Sequence, residues 1–222
     1  MTTEKAHERA VELSKEFYDK NDAVGWFDAL YAEAAGDTEK IPWADLETNP
    51  SFKAWLEKHK LNGANKKAVV VGCGLGDDAE ELANYGFEIT AFDISPQAIE
   101  WAKRIHPDPA VDYRVADLFA LPVELKNKFD FVLEVYTIQA LPLSAREKAI
   151  KAITELLAPN GELLVIERGL DEGETVENPP FPLWKSHLEN FIKNGLTKIE
   201  FEDFFDNQEP PVRRFRVLYQ RK

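Results

Sequence analysis

An apolar run leads into three glycines at alternate positions and then into two aspartates, in the stretch VVVGCGLGDDAEELA at residues 69–83. The glycines are Gly72, Gly74 and Gly76. Because they lack a Cβ atom, the backbone could turn sharply there and approach a flat ligand closely. A dinucleotide-binding fingerprint would place its third glycine at position 77, but this chain has Asp77 followed by Asp78. Two carboxylates would repel a diphosphate, so the pattern favours a nucleoside without phosphates. A plain tight turn capped by Asp77 is the alternative.

Acidic residues also end the second and third predicted strands. Asp93 closes FEITAFD, and the run Ala116, Asp117 and Leu118 follows the next strand. The carboxyl ends of parallel strands meet at one edge of a sheet, where ligands of open α/β folds bind. Asp93 can accept hydrogen bonds from both hydroxyls of a ribose, and Asp117 can accept one from an adenine amino group. Asp93 could instead cap the following helix, but Ser95 suits that position better.

Strands and helices alternate from residue 67 onward, which predicts parallel strands joined by right-handed crossovers. We expect residues 67–222 to form one α/β domain, a Rossmann-like, seven-stranded, mostly parallel sheet with an antiparallel last strand. The final two strands should pair as a hairpin, and the basic stretch 211–222 has the alternation of an edge strand with one exposed face. Residues 1–66 are predicted to form a helical N-terminal cover, with two helices at 3–20 and 22–35 and a shorter third helix.

The composition limits the classes of function. The net charge is −13, which would repel a nucleic acid, and 222 residues suffice for one core. No apolar run approaches the roughly 20 residues of a membrane span, and the charged N-terminal segment differs from a signal peptide. Cys73 is the single cysteine, which excludes an internal disulfide. We expect a cytoplasmic protein with a small-molecule ligand, no membrane or nucleic-acid partner, and no obligate protein partner.

The order and spacing of these motifs, from V-x-G-C-G-x-G through A-D-L and FDFVLE to LLAPNGELLVI, resemble those of class I S-adenosylmethionine-dependent methyltransferases over residues 67–168. The resemblance implies S-adenosylmethionine as cofactor and S-adenosylhomocysteine as product. It assigns Asp93 to the ribose hydroxyls, and it assigns Glu134 and Val135 to the methionine end, facing the substrate. Ile94 is a further implied cofactor-binding residue. The other implied cofactor-binding residues are Gly72, Cys73, Gly74, Gly76, Ala116, Asp117 and Leu118. Because the sulfonium and ammonium groups are cations, carboxylates beside the glycine loop are favourable.

A narrower resemblance concerns residues 41–50, IPWADLETNP, which are similar to the P-W segment of thiopurine, thiol and halide methyltransferases. In those relatives the N-terminal segment folds across the cofactor and helps to form the substrate pocket, which implies that Trp43 borders the site. The fourth strand departs from this pattern, because residues 133–142 read LEVYTIQALP where the relatives show a run like F-D-Y-T. For the aromatic residues at helical spacing between positions 26 and 31, core packing is expected.

Methyl transfer from a sulfonium is an in-line displacement on an activated donor, so alignment and desolvation matter more than a catalytic base. Glu134 and Tyr136, at the end of the fourth strand, are the candidate catalytic residues. The four histidines are scattered, and each suits a surface or packing role better than that of a base. We expect transfer to a thiol, a halide or another soft nucleophile on a small molecule. An O- or N-methyltransferase of a small metabolite and a non-catalytic S-adenosylmethionine-binding protein are the alternatives.

Further residues leave alternatives open. Arg168, at the end of the fifth strand, could hold an acidic substrate or pair with Glu134, and the proline-rich residues 172–184 could form a lid. An NAD(P)-dependent oxidoreductase is disfavoured by Asp77 and by the lack of a Tyr-x-x-x-Lys pair. A nucleic-acid methyltransferase is disfavoured by the charge and by the lack of an N-P-P-Y-type run after the fourth strand.

Overall fold

The computed structural model describes residues 3–107 and 110–222, and its strands form one sheet. The strands are β1 (Lys67–Val71), β2 (Glu88–Asp93), β3 (Val111–Val115), β4 (Phe129–Val135), β5 (Leu157–Arg168), β6 (Leu196–Phe205) and β7 (Arg213–Arg221). They lie in the order β3-β2-β1-β4-β5-β7-β6. The first five strands run parallel, and β7 runs antiparallel to both β5 and β6. The predicted Rossmann-like, mostly parallel sheet is confirmed.

Helices cover both faces of this sheet. They are α1 (Thr3–Tyr18), α2 (Gly25–Ala34), α3 (Pro50–Lys58), α4 (Asp77–Ala83), α5 (Pro96–Ile105), α6 (Leu143–Leu156) and α7 (Lys185–Lys193). Side chains along a strand point alternately to the two faces. In β1, Val69 and Val71 pack with α6 and α7, whereas Ala68 and Val70 pack with α3, α4 and α5. Apolar burial on both faces therefore fixes the central strands and the sheet edge at which they end.

The N-terminal helices lie against the carboxyl end of the sheet. A third apolar cluster joins α1, α2 and α5, and it contains the buried aromatic residues of α2, as expected. Two hydrogen bonds tie this cover to the loops around the strand ends. Asp28 Oδ1 accepts from Ser95 Oγ at 2.7 Å, and Asp78 Oδ1 accepts from the Asn49 amide at 2.7 Å. The division of the chain into units at residue 66 stays a prediction.

The prediction that residues 211–222 form an edge strand was wrong in one respect. β7 lies between β5 and β6, so β6 occupies the edge, and Arg214 and Arg216 are only 2% and 8% exposed. Their charges are paired instead of solvated: Arg214 Nη2 lies 2.8 Å from Asp206, and Arg216 Nε lies 2.6 Å from Glu202. The alternation of charged and apolar residues therefore marks an ion-paired buried face, which the sequence pattern alone does not distinguish from an exposed one.

The last glycine of the loop serves the packing of α4. Gly76 precedes the helix with φ at 96°, in the left-handed region that L side chains rarely adopt. A Cβ atom there would lie 2.2 Å from the hydroxyl of Tyr113. That hydroxyl donates a 2.7 Å hydrogen bond to Glu80 Oε1 in α4, so it has little room to move. Gly76 is therefore required by the approach of β3 to the start of α4.

We predict that Gly76→Ala lowers the free energy of unfolding by at least about 1 kcal/mol more than Gly36→Ala does, because the Tyr113 contact adds overpacking to backbone strain. Gly36 is a matched control, since its φ is 92° and a Cβ there would meet nothing within 4 Å. Urea unfolding of both variants measures the difference. Equal losses of unfolding free energy in the two variants would show that the Tyr113 side chain moves aside without an energetic cost.

Candidate functional site

A cavity of about 520 Å³ opens at the carboxyl ends of the central strands, under the N-terminal cover. This volume is in the range of small-molecule sites, which occur in such sheets where the strand order reverses. Here the reversal lies between β1 and β4, because β1 pairs with β2 on one side and with β4 on the other. The cavity wall includes these sequence-predicted residues: Trp43, Gly72, Cys73, Gly74, Asp93, Ile94, Ala116, Asp117, Leu118, Val135 and Tyr136.

The glycine loop forms the floor of the cavity with its backbone. Gly72 and Gly74 have φ values of 59° and 53°, so both use the left-handed region. A Cβ on Gly72 would lie 2.4 Å from Oγ1 of Thr137, which in turn donates to the carbonyl of Val71 at 3.1 Å. Cys73 lies between these glycines, and burial raises the pKa of its thiol well above the usual value. Cys73 therefore stays a thiol and is unsuited to act as a nucleophile.

Asp93 holds the loop in place from the end of β2. Its Oδ2 accepts from the Gly74 amide at 3.0 Å, and its Oδ1 accepts from the Ser95 amide at 2.9 Å. The side chain is only 8% exposed, and burial raises the pKa of its carboxyl. Ser95 Oγ caps α5 by accepting from the Ala98 amide, so Asp93 is not needed as that cap. Since each carboxylate oxygen has a second acceptor position, Asp93 keeps capacity for a ligand in the cavity.

The wall beside the glycine loop is acidic. Asp77 and Asp78 both line the cavity at the start of α4. Burial raises the pKa of Asp78 to about 7 and also raises the pKa of Asp77. A buried acid is costly to ionise, and a nearby cation offsets that cost, whereas a second anion increases it. This end of the cavity therefore favours a cationic ligand and disfavours a diphosphate.

Two sequence-predicted site residues lie outside the cavity wall. Gly76 faces Tyr113, as described above, and Glu134 is fully buried below the strand end. Oε1 of Glu134 accepts from the amides of Thr137 and Ile138 at 2.8 and 3.0 Å, so this carboxyl shapes the turn after β4. The expectation that Glu134 faces the substrate is therefore not met. Side chains alternate along β4, so Glu134 and Val135 point to opposite faces, and Tyr136 follows the strand with φ at 62° and also lines the cavity.

The opposite end of the cavity is basic and aromatic. Arg168, at the end of β5, and Arg214, in β7, both line it, together with Tyr136 and Gln139. Cζ of Arg214 lies 4.8 Å from the centre of the Tyr136 ring, a cation–π distance. Burial raises the pKa of the Tyr136 hydroxyl. Arg214 and Gln139 were missed by sequence reasoning, because Arg214 reaches the site only through the insertion of β7 into the sheet.

Aromatic residues of the N-terminal cover close the cavity above the loop. Trp43 is 39% exposed, and its Nε1 donates to the hydroxyl of Tyr31 at 2.8 Å. The ring of Trp43 also meets Phe27 edge-on, with centroids 6.1 Å apart. Tyr31 is buried but lies against the loop, since a Cβ on Gly74 would be 3.1 Å from its hydroxyl. These residues therefore serve both the core of the cover and the cavity wall.

The proline-rich segment 172–184 contributes Pro179 and Pro180 to the cavity wall. It is fastened close to them, because the Phe181 amide donates to the Gln139 carbonyl and the guanidinium of Arg146 donates to the Phe181 carbonyl. The role of this segment as a lid stays a prediction.

Comparison with known proteins agrees with this architecture. Residues 69–165 match a family described as a methyltransferase domain. The ubiquinone biosynthesis O-methyltransferase of Azotobacter vinelandii is 33% identical over 119 residues, which are 53% of this chain and 50% of that protein. This match to a methyltransferase domain agrees with the resemblance to class I S-adenosylmethionine-dependent methyltransferases over residues 67–168.

Solved structures show the same fold for this chain over most of its length. The 1,6-didemethyltoxoflavin N1-methyltransferase of Burkholderia thailandensis, solved with S-adenosylhomocysteine, has a TM-score of 0.68 at 16% identity over 89% of each chain. The cyclase SpnF has a TM-score of 0.64 at 18% identity over 76% of this chain and 78% of its own. The chain spans about half the length of the curated relatives it matches. Reaction and acceptor must therefore be argued from the site.

Within residues 3–107 and 110–222, no group of three or more histidine, cysteine or acidic side chains is arranged to hold a metal ion. In the same part of the chain, every helix is too short or too polar to cross a bilayer.

A pair of acids lies beneath the end of the cavity that Arg168 and Tyr136 line. Glu134 and Glu167 are both fully buried, and their carboxyl groups are close neighbours, with Oε2 of each lacking a hydrogen-bond partner among the described residues. Burial raises the pKa of both, and for Glu167 the charge of Glu134 raises it further. The two groups therefore share a proton near neutral pH. Since Glu167 lies beside Glu134, the predicted pairing of Glu134 with Arg168 is replaced by this acid pair.

We predict that Glu167→Gln flattens the decline of stability with rising pH. A raised pKa means that the folded protein holds a proton that the unfolded chain releases above its ordinary value near 4.5, so stability is lost as pH rises through the folded pKa. Free energies of unfolding from urea titrations at about pH 5 and about pH 8 should differ less in the variant, by on the order of 1.4 kcal/mol for each pH unit of linkage removed.

Glu155→Gln is the control for this experiment. Glu155 is partly exposed, and its hydrogen bond to Lys126 lowers its pKa, so its contribution changes only in more acidic solution. Asp78 contributes the same loss to all three proteins and cancels in the comparison. A pH dependence unchanged by Glu167→Gln would contradict the shared proton.

Proposed function

We propose that this protein transfers a methyl group from S-adenosylmethionine to a small molecule bound beside Tyr136. The observation that carries the proposal is the Asp93 carboxylate, which lines the cavity while two backbone amides hold it, between the glycine loop and the end of β2. A ribose presents two adjacent hydroxyl donors, and a fixed carboxylate is suited to accept from both. The acidic wall of Asp77 and Asp78 supports a ligand that carries positive charge and no phosphate.

The residues that would hold the cofactor follow from their places in the cavity wall. The backbone of Gly72, Cys73 and Gly74 would contact the methionine and ribose parts, and Asp93 with Ile94 would bind the ribose hydroxyls. Ala116, Asp117 and Leu118 would border the adenine; the Asp117 carboxylate already accepts from the Phe119 amide at 2.7 Å, which fixes its orientation. When bound, the cofactor supplies an activated methyl group, and the chain aligns the acceptor and excludes water.

The acceptor end supports a nucleophile that needs no protein base. Arg168 and Arg214 carry protons permanently. The raised pKa of Tyr136 keeps its hydroxyl protonated, so it can donate a hydrogen bond but not withdraw a proton. We therefore propose a thiol, a halide or another soft nucleophile as the acceptor. Oxygen is the second candidate, supported by the name of the Azotobacter vinelandii relative. An acidic hydroxyl beside the guanidinium groups would ionise more readily than in water.

We also propose that the protein has no nucleic-acid partner, because its net charge of −13 would repel a nucleic acid. The cytoplasmic location and the lack of an obligate protein partner stay predictions from the sequence.

We predict that Asp93→Ala weakens the binding of S-adenosylhomocysteine at least about tenfold, because hydrogen bonds to a charged acceptor are lost. Isothermal titration calorimetry of the folded variant measures this. Asp130→Ala is the matched control, since Asp130 also accepts from a backbone amide, that of Lys67 at 2.8 Å, but does so where β1 begins. An unchanged dissociation constant in Asp93→Ala would refute the ribose assignment.

We also predict that Tyr136→Phe reduces methyl transfer by no more than about tenfold, as expected for the loss of one neutral hydrogen bond. Formation of S-adenosylhomocysteine would be followed with a panel of thiols, iodide, phenols and amines at several pH values. Thiols should be the better substrates, with rates that rise as the thiol ionises. A loss of a hundredfold or more would instead identify Tyr136 as a proton-transfer group, and exclusive activity on phenols would favour the oxygen candidate.

A further inference from the structure

We propose that the methyl acceptor carries a carboxylate, which Arg168 and Arg214 bind together at the β5–β7 side of the cavity. This inference rests on the proposed function, because it names the class of acceptor for the same cavity. It depends on two neighbouring arginines whose positive charges are not fully balanced by acidic side chains of the protein.

The two arginines are direct partners across antiparallel strands. Arg168 of β5 is in register with Arg214 of β7, and both side chains line the cavity. Like charges directly opposite each other destabilise a strand pair. In this sheet the pair lies next to the cavity, where burial and the charge of Arg214 lower the pKa of Arg168. An anion bound between the two guanidinium groups would remove the repulsion.

The charges around the pair leave one positive charge unmatched. Arg214 is paired with Asp206, which accepts from its Nε at 2.8 Å. Among the described residues, the side chain of Arg168 forms neither an ion pair nor a hydrogen bond. Glu167 precedes Arg168 in β5, but neither Glu167 nor Glu134 is part of the cavity wall. At this end of the cavity, Arg168 therefore presents a positive charge that no described acidic side chain pairs with directly.

Two buried donors at this place have no acceptor. Nε of Arg168 and Nη1 of Arg214 are both buried and make no hydrogen bond with any described residue. Arg214 as a whole is only 2% exposed, and its guanidinium is held against the Tyr136 ring. Buried polar groups without partners are rare in folded proteins unless a ligand or water supplies them. A carboxylate has two oxygens that act only as hydrogen-bond acceptors, and guanidinium groups bind both oxygens well.

The match in charge and shape favours a carboxylate over other anions. A monoanion matches the single guanidinium that lacks a direct ion pair, whereas a phosphate dianion would bring a second negative charge. A halide would offer one centre to two separate guanidinium groups. The neighbouring wall of Tyr136, Pro179 and Pro180 is suited to the apolar body of an organic acid. β5 and β7 lie on the side of β4 away from β1 and β2, so this cleft is separated from the acidic wall near the glycine loop.

The test compares Arg168→Met with Arg213→Met. Arg213 is the neighbour of Arg214 in β7, but its guanidinium pairs with Asp203 and Asp171 and is not part of the cavity wall. Thermal unfolding would be measured with saturating S-adenosylhomocysteine, alone and with 4-hydroxybenzoate, its neutral amide 4-hydroxybenzamide, or 4-hydroxyphenyl phosphate. The dissociation constant of 4-hydroxybenzoate would be measured by calorimetry on the same samples.

We expect 4-hydroxybenzoate to raise the melting temperature of the unmodified protein and of Arg213→Met, and the amide to have no comparable effect. In Arg168→Met the carboxylate should bind about tenfold more weakly or worse, because one of its two charged partners is lost. Without any acid present, Arg168→Met should melt no lower than the unmodified protein, since the substitution relieves repulsion. A role in structure alone would lower that melting temperature and leave the effect of the acid unchanged.

Several results would overturn the inference. These are the absence of any effect of 4-hydroxybenzoate on the unmodified protein, equal effects in Arg168→Met, or stronger binding of the phosphate than of the carboxylate. Weaker binding of S-adenosylhomocysteine to Arg168→Met would also overturn it, because the arginines would then hold the carboxylate of the cofactor. If S-adenosylhomocysteine binds to none of the proteins, the proposed function fails by itself, which calorimetry with that ligand shows separately.

Discussion

The cavity depends on one carboxylate with two fixed hydrogen bonds. Asp93 accepts from the amides of Gly74 and Ser95, so it joins the loop after β1 to the start of α5. The glycines of the loop have no side chains that could form hydrogen bonds and hold its left-handed turn in place. Ser95 in turn binds Asp28 of the N-terminal cover. The positions of loop, helix and cover are thus set by a chain of contacts that begins at a single buried acid.

Around this acid the cavity is divided by charge. Asp77, Asp78 and Asp93 lie on the side of β1 and β2, whereas Arg168 and Arg214 lie on the side of β5 and β7. Charges act more strongly in a partly buried cleft than in water, so each side selects the opposite charge. A cationic cofactor and an anionic acceptor would each find their own side. Such an arrangement orients two ligands toward each other without a dedicated catalytic base.

Much of this site could be predicted from the sequence because its determinants are local. The glycines of a loop between a strand and a helix lie at the edge of the sheet where that strand ends. For the same reason, the acids at the ends of β2 and β3 can be placed at this edge from the sequence. This reasoning does not predict the position of Glu134. Its side chain is buried, whereas that of the next residue in β4 lines the cavity. Because β4 is buried on both faces, its sequence shows no alternation of polar and apolar residues that would distinguish the two. Arg214 depends on pairing between strands distant in sequence, which no local pattern encodes.

The position of β7 also governs how the sheet can assemble. β7 is synthesised after both β5 and β6, yet it lies between them in the sheet, and these two strands are joined only through it. Until then β5 presents an open row of backbone amides and carbonyls, and β6 has no neighbour. The parallel strands can pair during synthesis, whereas the pairing of β5 and β6 with β7 must wait until β7 has been made. A nascent chain would therefore be exposed to aggregation at β5, and chaperones that bind extended apolar segments would find their target there.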